Sequence, residues 1–150
     1  MMYQYENCDG ILDFRSKYHK NWLVDGHLHE YSEILYCKSG GGNVNVNGQN
    51  INLVSGQFIW IPPHYIHQYV FEDSELVCAV FSNDFIPLFT RNLSEKKMTV
   101  TAIEASELAP ILENLYKLDK NEVLYISGCL NLVAAKVRKN SCFENIDHSD

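Results

Sequence analysis

Three histidines and one glutamate are the residues whose types and spacing could support chemistry together. His27 and His29 are separated by one residue, Glu33 follows four residues later, and His67 comes after a proline pair. Imidazole nitrogens and carboxylate oxygens are ligands for zinc, iron, nickel and manganese, and four of them leave positions for a further ligand. The same side chains can instead form a hydrogen-bonded polar cluster that binds a small molecule. The residues alone leave both interpretations open.

The spacing of His27, His29 and Glu33 constrains the backbone that carries them. Alternate residues of a strand point to one face, so the two histidines would lie about 7 Å apart along it. On a straight strand Glu33 would lie about 20 Å from His27, whereas metal–ligand bonds are about 2 Å long. The chain must therefore reverse near residues 30–32, and we expect a hairpin that places Glu33 on the neighbouring strand.

The first two thirds of the chain have the pattern of short antiparallel strands. Strands are predicted at residues 11–18, 33–38, 43–54 (a hairpin), 57–61, 66–72, 75–82 and 98–105. The hairpin is the clearest, because valines alternate with asparagines before the turn dipeptide Asn47-Gly48. Pro62-Pro63 ends the strand before it, and the polar run at 72–75 is expected to form a turn. Many short strands at this spacing predict a sandwich or a barrel.

Beyond residue 104 the apolar period becomes that of helices. Ser106 is the expected N-cap, and Pro110 is tolerable because it lies in the first turn. Two apolar stripes at helical spacing are assigned to dimerisation: Leu108, Ile111, Leu115 and Leu118, then Ile126, Leu130, Val133 and Val137. A second apolar edge on the later helix, which includes Leu124 and Leu132, would let one face meet the barrel and another a partner. We expect a barrel at 1–104, a helical pair at 105–139 and a disordered tail at 140–150.

Composition excludes several classes of function. A net charge of −7 argues against direct nucleic-acid binding, and the basic runs at 15–20 and 136–139 are interpreted as solvated faces. No apolar run approaches the roughly 20 residues that span a bilayer, and the first residues lack the pattern of a signal peptide, so a cytoplasmic location is expected. Five cysteines without a CxxC pair do not predict a zinc knuckle, and Cys37 and Cys78 are expected to be buried thiols.

Two segments resemble the conserved motifs of the cupin superfamily. The first, in "HLHEYSEILYCKSG", contains His27, His29, Glu33 and Gly40, and the second, in "GQFIWIPPHYIH", contains Gly56, Pro62 and His67. Asn21 and His64 stand where these motifs usually have glycine, and Phe71 stands in place of a closing asparagine. The resemblance implies that the four metal-type residues line the inside of a small β-barrel and often hold a divalent metal.

The order of these motifs, followed by two amphipathic helices, resembles the N-terminal sensing domain of AraC-type transcription regulators over residues 20–138. The resemblance implies that the barrel binds a small effector, often a sugar or related metabolite, and that the helices form a homodimer. In that family a separate pair of helix-turn-helix motifs binds DNA. The residues after 138 are too few for that segment, so we expect the chain to be a regulatory half without it.

Two hypotheses for the function follow. The first is a non-enzymatic effector-binding and dimerisation domain, whose pocket residues are His27, His29, Glu33 and His67, with Trp60 and Tyr36 included although either aromatic could pack in the core instead. In this hypothesis a divalent metal is possible but not required. The alternative is a small metal-dependent cupin enzyme, such as a dioxygenase or a sugar isomerase, in which a metal at the same four residues polarises a substrate oxygen.

Overall fold

The computed structural model describes residues 4–6, 12–93 and 95–146. Ten strands lie in these residues: β1 (Gln4–Glu6), β2 (Phe14–Lys20), β3 (Leu23–His29), β4 (Ser32–Val46), β5 (Gln49–Val54), β6 (Gln57–Ile61), β7 (His67–Phe81), β8 (Lys96–Thr99), β9 (Ile103–Glu104) and β10 (Cys142–Asn145). The α-helices are α1 (Pro87–Leu93), α2 (Ala109–Glu113) and α3 (Val123–Asn140), with 3-10 segments at Asn83–Phe85, Ser106–Leu108 and Leu115–Lys117. The predicted mainly antiparallel β architecture with C-terminal helices is confirmed.

Strand β7 organises an eight-stranded sheet. It pairs antiparallel with β2, β3 and β4, while β4 also pairs with β5 and β6, and β6 with β9. Strand β1 joins β3 in parallel, and β8 with β10 forms a separate two-stranded sheet. The pairing places β2 and β3 against opposite halves of β7, so the segment between them crosses from one half to the other.

The two longest strands were predicted as shorter pieces. Strand β7 has 15 residues and runs through the polar segment that was expected to be a turn. The backbone bends at Asp73, whose φ is 48°. Strand β4 shifts its register opposite this bend, so β7 pairs with β4 both before and after Asp73. The Ser74 hydroxyl bridges the two strands by accepting from Gly41 N at 3.0 Å and lying 3.0 Å from Gly41 O. Tight cross-strand bonding therefore replaces the predicted turn by a bend.

The glycine-rich run is part of β4 and lies where two strands approach closely. A Cβ added to Gly42 would lie 2.5 Å from the Phe71 ring and would also overlap the carbonyl of Val70. Phe71 is almost fully buried, so the ring has little room to move away. Only glycine fits at position 42, for reasons of space and not of loop flexibility. The predicted turn Asn47-Gly48 is confirmed, with φ values of 49° and 87°.

The helical stripes pack on the outer face of the sheet. Six stripe residues are buried within this single chain: Leu108, Leu115, Ile126, Leu130, Val133 and Val137. Ile111 and Leu118 are partly buried against the same core. The stripe is therefore the side of the helices that faces the barrel, and these side chains do not form an exposed dimer surface. The second edge of α3 is the exposed one, with Leu124 89% and Leu132 56% accessible.

The first predicted helix is shorter than expected. Ser106 has a φ of 50° and begins a 3-10 segment whose N-cap is Ala105, and helix α2, whose N-cap is Leu108, has only five residues. Asn114 interrupts the helix, since its Nδ2 donates to the carbonyl of Pro110 at 2.7 Å. Pro110 does lie in the first turn, as predicted. Among the described residues, no helix is long and apolar enough to cross a membrane.

The tail prediction is wrong for residues 142–145, which form β10. This strand pairs antiparallel with β8, with Phe143 opposite Met98. Phe143 packs against the core, and the Arg138 guanidinium lies 5.6 Å from its ring centroid. Phe143 and the pairing with β8 hold this strand, whereas residues 147–150 lie outside the described part of the chain. Helix α1, which covers Trp60 through Phe89, was not predicted.

Candidate ligand and metal site

The structure brings together the three histidines and the glutamate singled out by spacing. Potential ligand atoms of His27, His29, Glu33 and His67 all lie within 4.8 Å of one another, and all four residues are buried. Strand β3 carries the first two, β4 begins just before Glu33, and β7 begins at His67. His27 and His67 are direct cross-strand partners. The four residues thus converge from three strand ends at the floor of the barrel.

Glu33 reaches this floor by a route different from the predicted hairpin. The chain does reverse at residues 30–31, between β3 and β4. However, β3 and β4 are not paired with each other, since each pairs with β7. The reversal therefore carries the chain from the end of β7 at His67, next to β3, to its other end, where Glu33 pairs with Val80.

Backbone carbonyls fix the orientation of all three imidazoles. The Nδ1 atoms of His27, His29 and His67 lie 3.1, 2.8 and 2.8 Å from the carbonyl oxygens of Asp25, Tyr31 and Tyr65 respectively. A carbonyl oxygen can only accept, so each Nδ1 carries the hydrogen. In the neutral imidazole the other nitrogen, Nε2, then presents a lone pair. This tautomer is the one that a metal-binding histidine adopts when its second nitrogen is held by a carbonyl.

The floor concentrates electron-pair donors. The carboxylate oxygens of Glu33 lie 3.4 Å from His29 Nε2 and 3.2 Å from His67 Nε2. Two lone pairs facing each other at such distances repel, so the arrangement calls for a positive charge, either a proton on an imidazole or a metal cation. Burial opposes ionisation of Glu33, but His67 and His29 outweigh it and lower the pKa of the carboxyl from 4.5 to about 2. The donor set and the tautomers fit a divalent metal.

The departures from the motif glycines have a backbone explanation. Asn21 and His64 have φ values of 55° and 67°, so both adopt the left-handed conformation that glycine adopts readily. Asparagine and histidine are among the non-glycine residues enriched there. Asn21 Oδ1 accepts from Ser74 N at 3.1 Å, and His64 N donates to His29 O at 2.8 Å. Each residue therefore keeps the left-handed loop geometry, and the Asn21 side chain adds a bond to Ser74 that glycine could not make.

A cavity of about 410 Å³ opens above the floor. Its lining residues come from β2, β3, β4 and β7 and the β2–β3 connection: Arg15, Ser16, Lys17, His19, Trp22, Val24, His27, Glu33, Cys78 and Val80. Sites for small molecules have volumes in this range. His27 and Glu33 belong to both the floor and the cavity, so a molecule in the cavity would reach the metal-type residues.

Trp60 and Tyr36, which the sequence analysis placed in the pocket, lie on the other face of the sheet. Trp60 pairs with Ile34 and packs edge-on against Phe81 and Phe89, with centroids 5.2 and 5.0 Å away. Tyr36 donates to Glu113 of helix α2 at 3.3 Å. The period of two on β4 and β6 turns both aromatic side chains towards the helices. The prediction that they line the pocket is wrong because sequence gives the alternation and not which side is inward.

Sequence reasoning missed one wall of the cavity. Arg15, Lys17 and His19 were interpreted as a solvated basic face, yet all three line the cavity from alternate positions of β2. His19 stacks on Trp22, with ring centroids 3.7 Å apart and planes 8° from parallel. Burial, then the charge of Lys17, lowers the pKa of His19, while Glu33 raises it. The alternation of these basic residues with Ser16 and Tyr18 is the sequence pattern that could have indicated a strand with one face on a cavity. The buried thiols Cys37 and Cys78 are confirmed.

Comparison with solved structures shows the fold. The AraC-like transcriptional activator CuxR is 15% identical with a TM-score of 0.56, and the alignment covers 81% of this chain and 45% of CuxR. KdgF from Halomonas sp. is 23% identical with a TM-score of 0.42, covering 46% of this chain and 68% of KdgF. A cupin protein from Bacteroides fragilis is 19% identical with a TM-score of 0.40, covering 49% and 67%. The likeness to CuxR confirms the predicted fold.

The sequence identifies the family within that fold. Residues 10–122 match the family described as AraC-like ligand binding domain. The match spans most of the chain, and the chain belongs to this family, as its resemblance to AraC-type regulators predicted. A search of curated proteins finds no match.

Proposed function

We propose that this chain senses a small effector for an AraC-type transcription regulator by binding it in the cavity above the histidine floor. One observation carries the proposal: within the family's ligand-binding region, a cavity of molecular size is lined by ionisable side chains from four strands. DNA contacts belong to a separate DNA-binding region in this proposal. CuxR, an AraC-like transcriptional activator, has the same fold, and the alignment covers 45% of its chain.

The outer face of β2 offers a route from the cavity to the helices. Ser16 Oγ donates to the carbonyl of Leu115 at 2.9 Å, and the rings of Tyr18 and Tyr116 lie 5.6 Å apart. These contacts join β2 to the segment 115–117, which precedes helix α3. An effector that binds one position of β2 better than another would bias this segment, as a population shift requires.

Helix α3 is the proposed dimerisation element, through its exposed edge. Leu124 and Leu132 lie on a different face of the helix from the buried stripe, and both are more than half exposed. The eight stripe residues assigned earlier support α3 indirectly, because they hold the helices on the barrel. A charged substitution at Leu130 would therefore test folding and not association.

The effector proposal is tested by blocking the cavity. We expect some members of a metabolite library to raise the melting temperature of the wild-type protein. Val80→Trp, which fills the cavity, should remove the shift, whereas Val70→Trp on the exposed face of the same strand should keep it. If Val80→Trp fails to fold, Val24→Trp replaces it. A ligand that shifts wild type and both cavity variants equally would contradict the proposal, as would a library with no binder.

The dimer is tested by light scattering. Leu132→Ser should convert a wild-type dimer to a monomer without changing the fold, and Leu88→Ser, at an equally exposed leucine of α1, should leave it dimeric. A monomeric wild-type protein would contradict dimerisation. A Leu132→Ser protein that stays a dimer would place the interface elsewhere.

A metal-dependent enzyme is the second candidate, favoured by the completeness of the four-residue floor. If the site holds a divalent metal, the residues holding it are His27, His29, Glu33 and His67. Such an ion would act as a Lewis acid towards a bound oxygen. The chain itself would orient the donors through the carbonyl bonds to Nδ1 and keep the floor dry by burial. Turnover of a cavity ligand by the metal-loaded protein, lost in His67→Ala, would favour this candidate over sensing alone.

A further inference from the structure

The inner face of β2 has a charge opposite to that of the protein as a whole. The chain carries 19 acidic and 12 basic residues, a net charge of −7. Yet β2 presents Arg15 and Lys17 to the cavity, with His19 next on the same face. Among the described residues that line the cavity, Glu33 is the only acid, and it lies at the floor in contact with imidazoles. The wall away from the floor is therefore cationic.

The two cations of this wall, Arg15 and Lys17, differ in how far nearby acidic side chains neutralise their charge. Arg15 is paired with Asp13, whose Oδ2 lies 2.7 Å from one guanidinium nitrogen and 2.9 Å from Nε. The pairing with Asp13 engages Nε and one terminal nitrogen of a guanidinium that has five N–H donors. Lys17 is exposed and stands between Arg15 and His19 on the cavity side of the strand. An anion between these side chains would gain two charge-assisted hydrogen bonds.

The rest of the lining suits the carbon body of such a ligand and is poor in groups for a neutral polyol. Trp22, Val24, Cys78 and Val80 give an apolar surface opposite and beside the cations. Of the neutral polar side chains, Ser16 already donates to Leu115, and no amide side chain is among the lining residues described. Arg15 and Lys17 can only donate hydrogen bonds, whereas the hydroxyls of a neutral sugar need acceptors as well. One charged head with a less polar body fits better.

We propose that the effector is a small organic anion whose carboxylate or phosphate binds between Arg15 and Lys17. This deepens the proposed sensing function and rests on it. The effector class follows from the cavity wall, not from the histidine floor, so it is separable from any metal bound below.

The test uses matched pairs of probes that differ in charge. Galacturonate is compared with galactose, glucose 6-phosphate with glucose, and benzoate with benzyl alcohol, by calorimetry at constant ionic strength. We expect at least one acid to bind at least about tenfold more tightly than its neutral partner. The pair that responds distinguishes a carboxylate from a phosphate. Neutral probes that bind as tightly as the acids, or acids that all fail to bind, would overturn the proposal.

Charge reversal on the two faces of β2 supplies the control. Lys17→Glu should weaken binding of the acid by about tenfold or more, whereas Lys20→Glu, an exposed lysine at an opposite-parity position of the same strand, should change it by less than about twofold. If both variants weaken binding of the acid equally, the proposal would be overturned, because the effect would then come from long-range electrostatics and not from contact with Lys17. The measurements are repeated after EDTA treatment. Binding that disappears with EDTA would assign the acid to a floor metal and also overturn it.

The outcomes separate this inference from the function on which it rests. Consider a neutral probe that binds wild type, fails to bind Val80→Trp and binds Lys17→Glu as tightly as wild type. That result would support cavity sensing and overturn the proposal that the effector is an anion. If charged and neutral probes all bind Val80→Trp as tightly as they bind wild type, both the cavity-sensing proposal and the anion proposal would be overturned.

Discussion

The floor and the β2 wall of one cavity are built in different ways. At the floor, His27, His29, Glu33 and His67 are at most 8% exposed, and each imidazole is held by a backbone carbonyl. On the wall, Arg15 and Lys17 are exposed and reach the cavity on long flexible side chains. Rigid burial suits a group that must keep its geometry, and exposed cations suit a group that meets ligands. We infer that the floor contributes to stability and the wall to recognition.

Removing the floor carboxylate should have the largest effect on stability. Glu33→Ala leaves the imidazoles without their buried anion, and we expect the free energy of unfolding to fall by about 3 kcal/mol. Urea unfolding followed by circular dichroism measures it. Glu30→Ala, at an exposed acid in the preceding turn, is the control and should change little. Equal stability of the two variants would show that the floor is not a stabilising cluster.

Metal addition should stabilise the folded chain through the floor alone. At a zinc concentration 100 times the dissociation constant, mass action adds about 2.7 kcal/mol. His67→Ala should abolish the rise in melting temperature on adding zinc, and His64→Asn, at an exposed histidine with a left-handed backbone, should retain it. A zinc response that survives His67→Ala would place the ion elsewhere.

Acidification should act on the wall through His19, with an effect smaller than that of the metal, because burial lowers the pKa of this imidazole but solvent screens a side chain that is only partly buried. Its folded pKa lies below the ordinary 6.5, so the folded state binds protons less readily than the unfolded chain. The stabilisation is present above 6.5 and is lost as the pH falls through 6.5 towards the folded pKa. His19→Phe keeps the ring against Trp22 and cannot titrate, so urea unfolding should show a smaller loss between about pH 7.5 and about pH 5. An unchanged pH dependence would contradict this.

Neutralising the wall lysine should have the smallest effect on stability. Lys17→Ala should shift the free energy of unfolding by less than about 0.5 kcal/mol, as for most exposed positions. Lys20→Ala on the same strand is the control. A loss several times larger would show that the wall supports the fold, and the contrast with the floor would disappear.

The floor could be found from sequence because its residues are constrained by spacing. His27, His29, Glu33 and His67 belong to motifs whose order is visible, and the structure brings all four together. The turn Asn47-Gly48 was equally visible, since its residue types match its positive φ values. Local chemistry determined both features.

The wall and the long strands could not be found in this way. A basic run such as residues 15–20 has the same composition on a solvated face as on a cavity wall, and pairing with β7 decides between them. The polar residues near Asp73 have turn composition, but β4 on the opposite side continues the pairing through a register shift. Trp60 was misplaced for a related reason, because its side of the sheet depends on where α1 packs. Each miss depends on contacts between segments distant in sequence.

The close approach at Gly42 links two positions that sequence motifs treat separately. The Phe71 ring occupies the volume that any side chain at 42 would need. The carbonyl oxygen of Val70 would lie 2.3 Å from the same added Cβ, so a smaller residue at 71 would not make room for a side chain at 42. Phe71, which stands where the resembling motif usually has asparagine, therefore depends on Gly42 for its space, whereas Gly42 is required whatever residue stands at 71. Position 71 can accept a smaller residue while 42 stays glycine, whereas a side chain at 42 would require β4 and β7 to move apart.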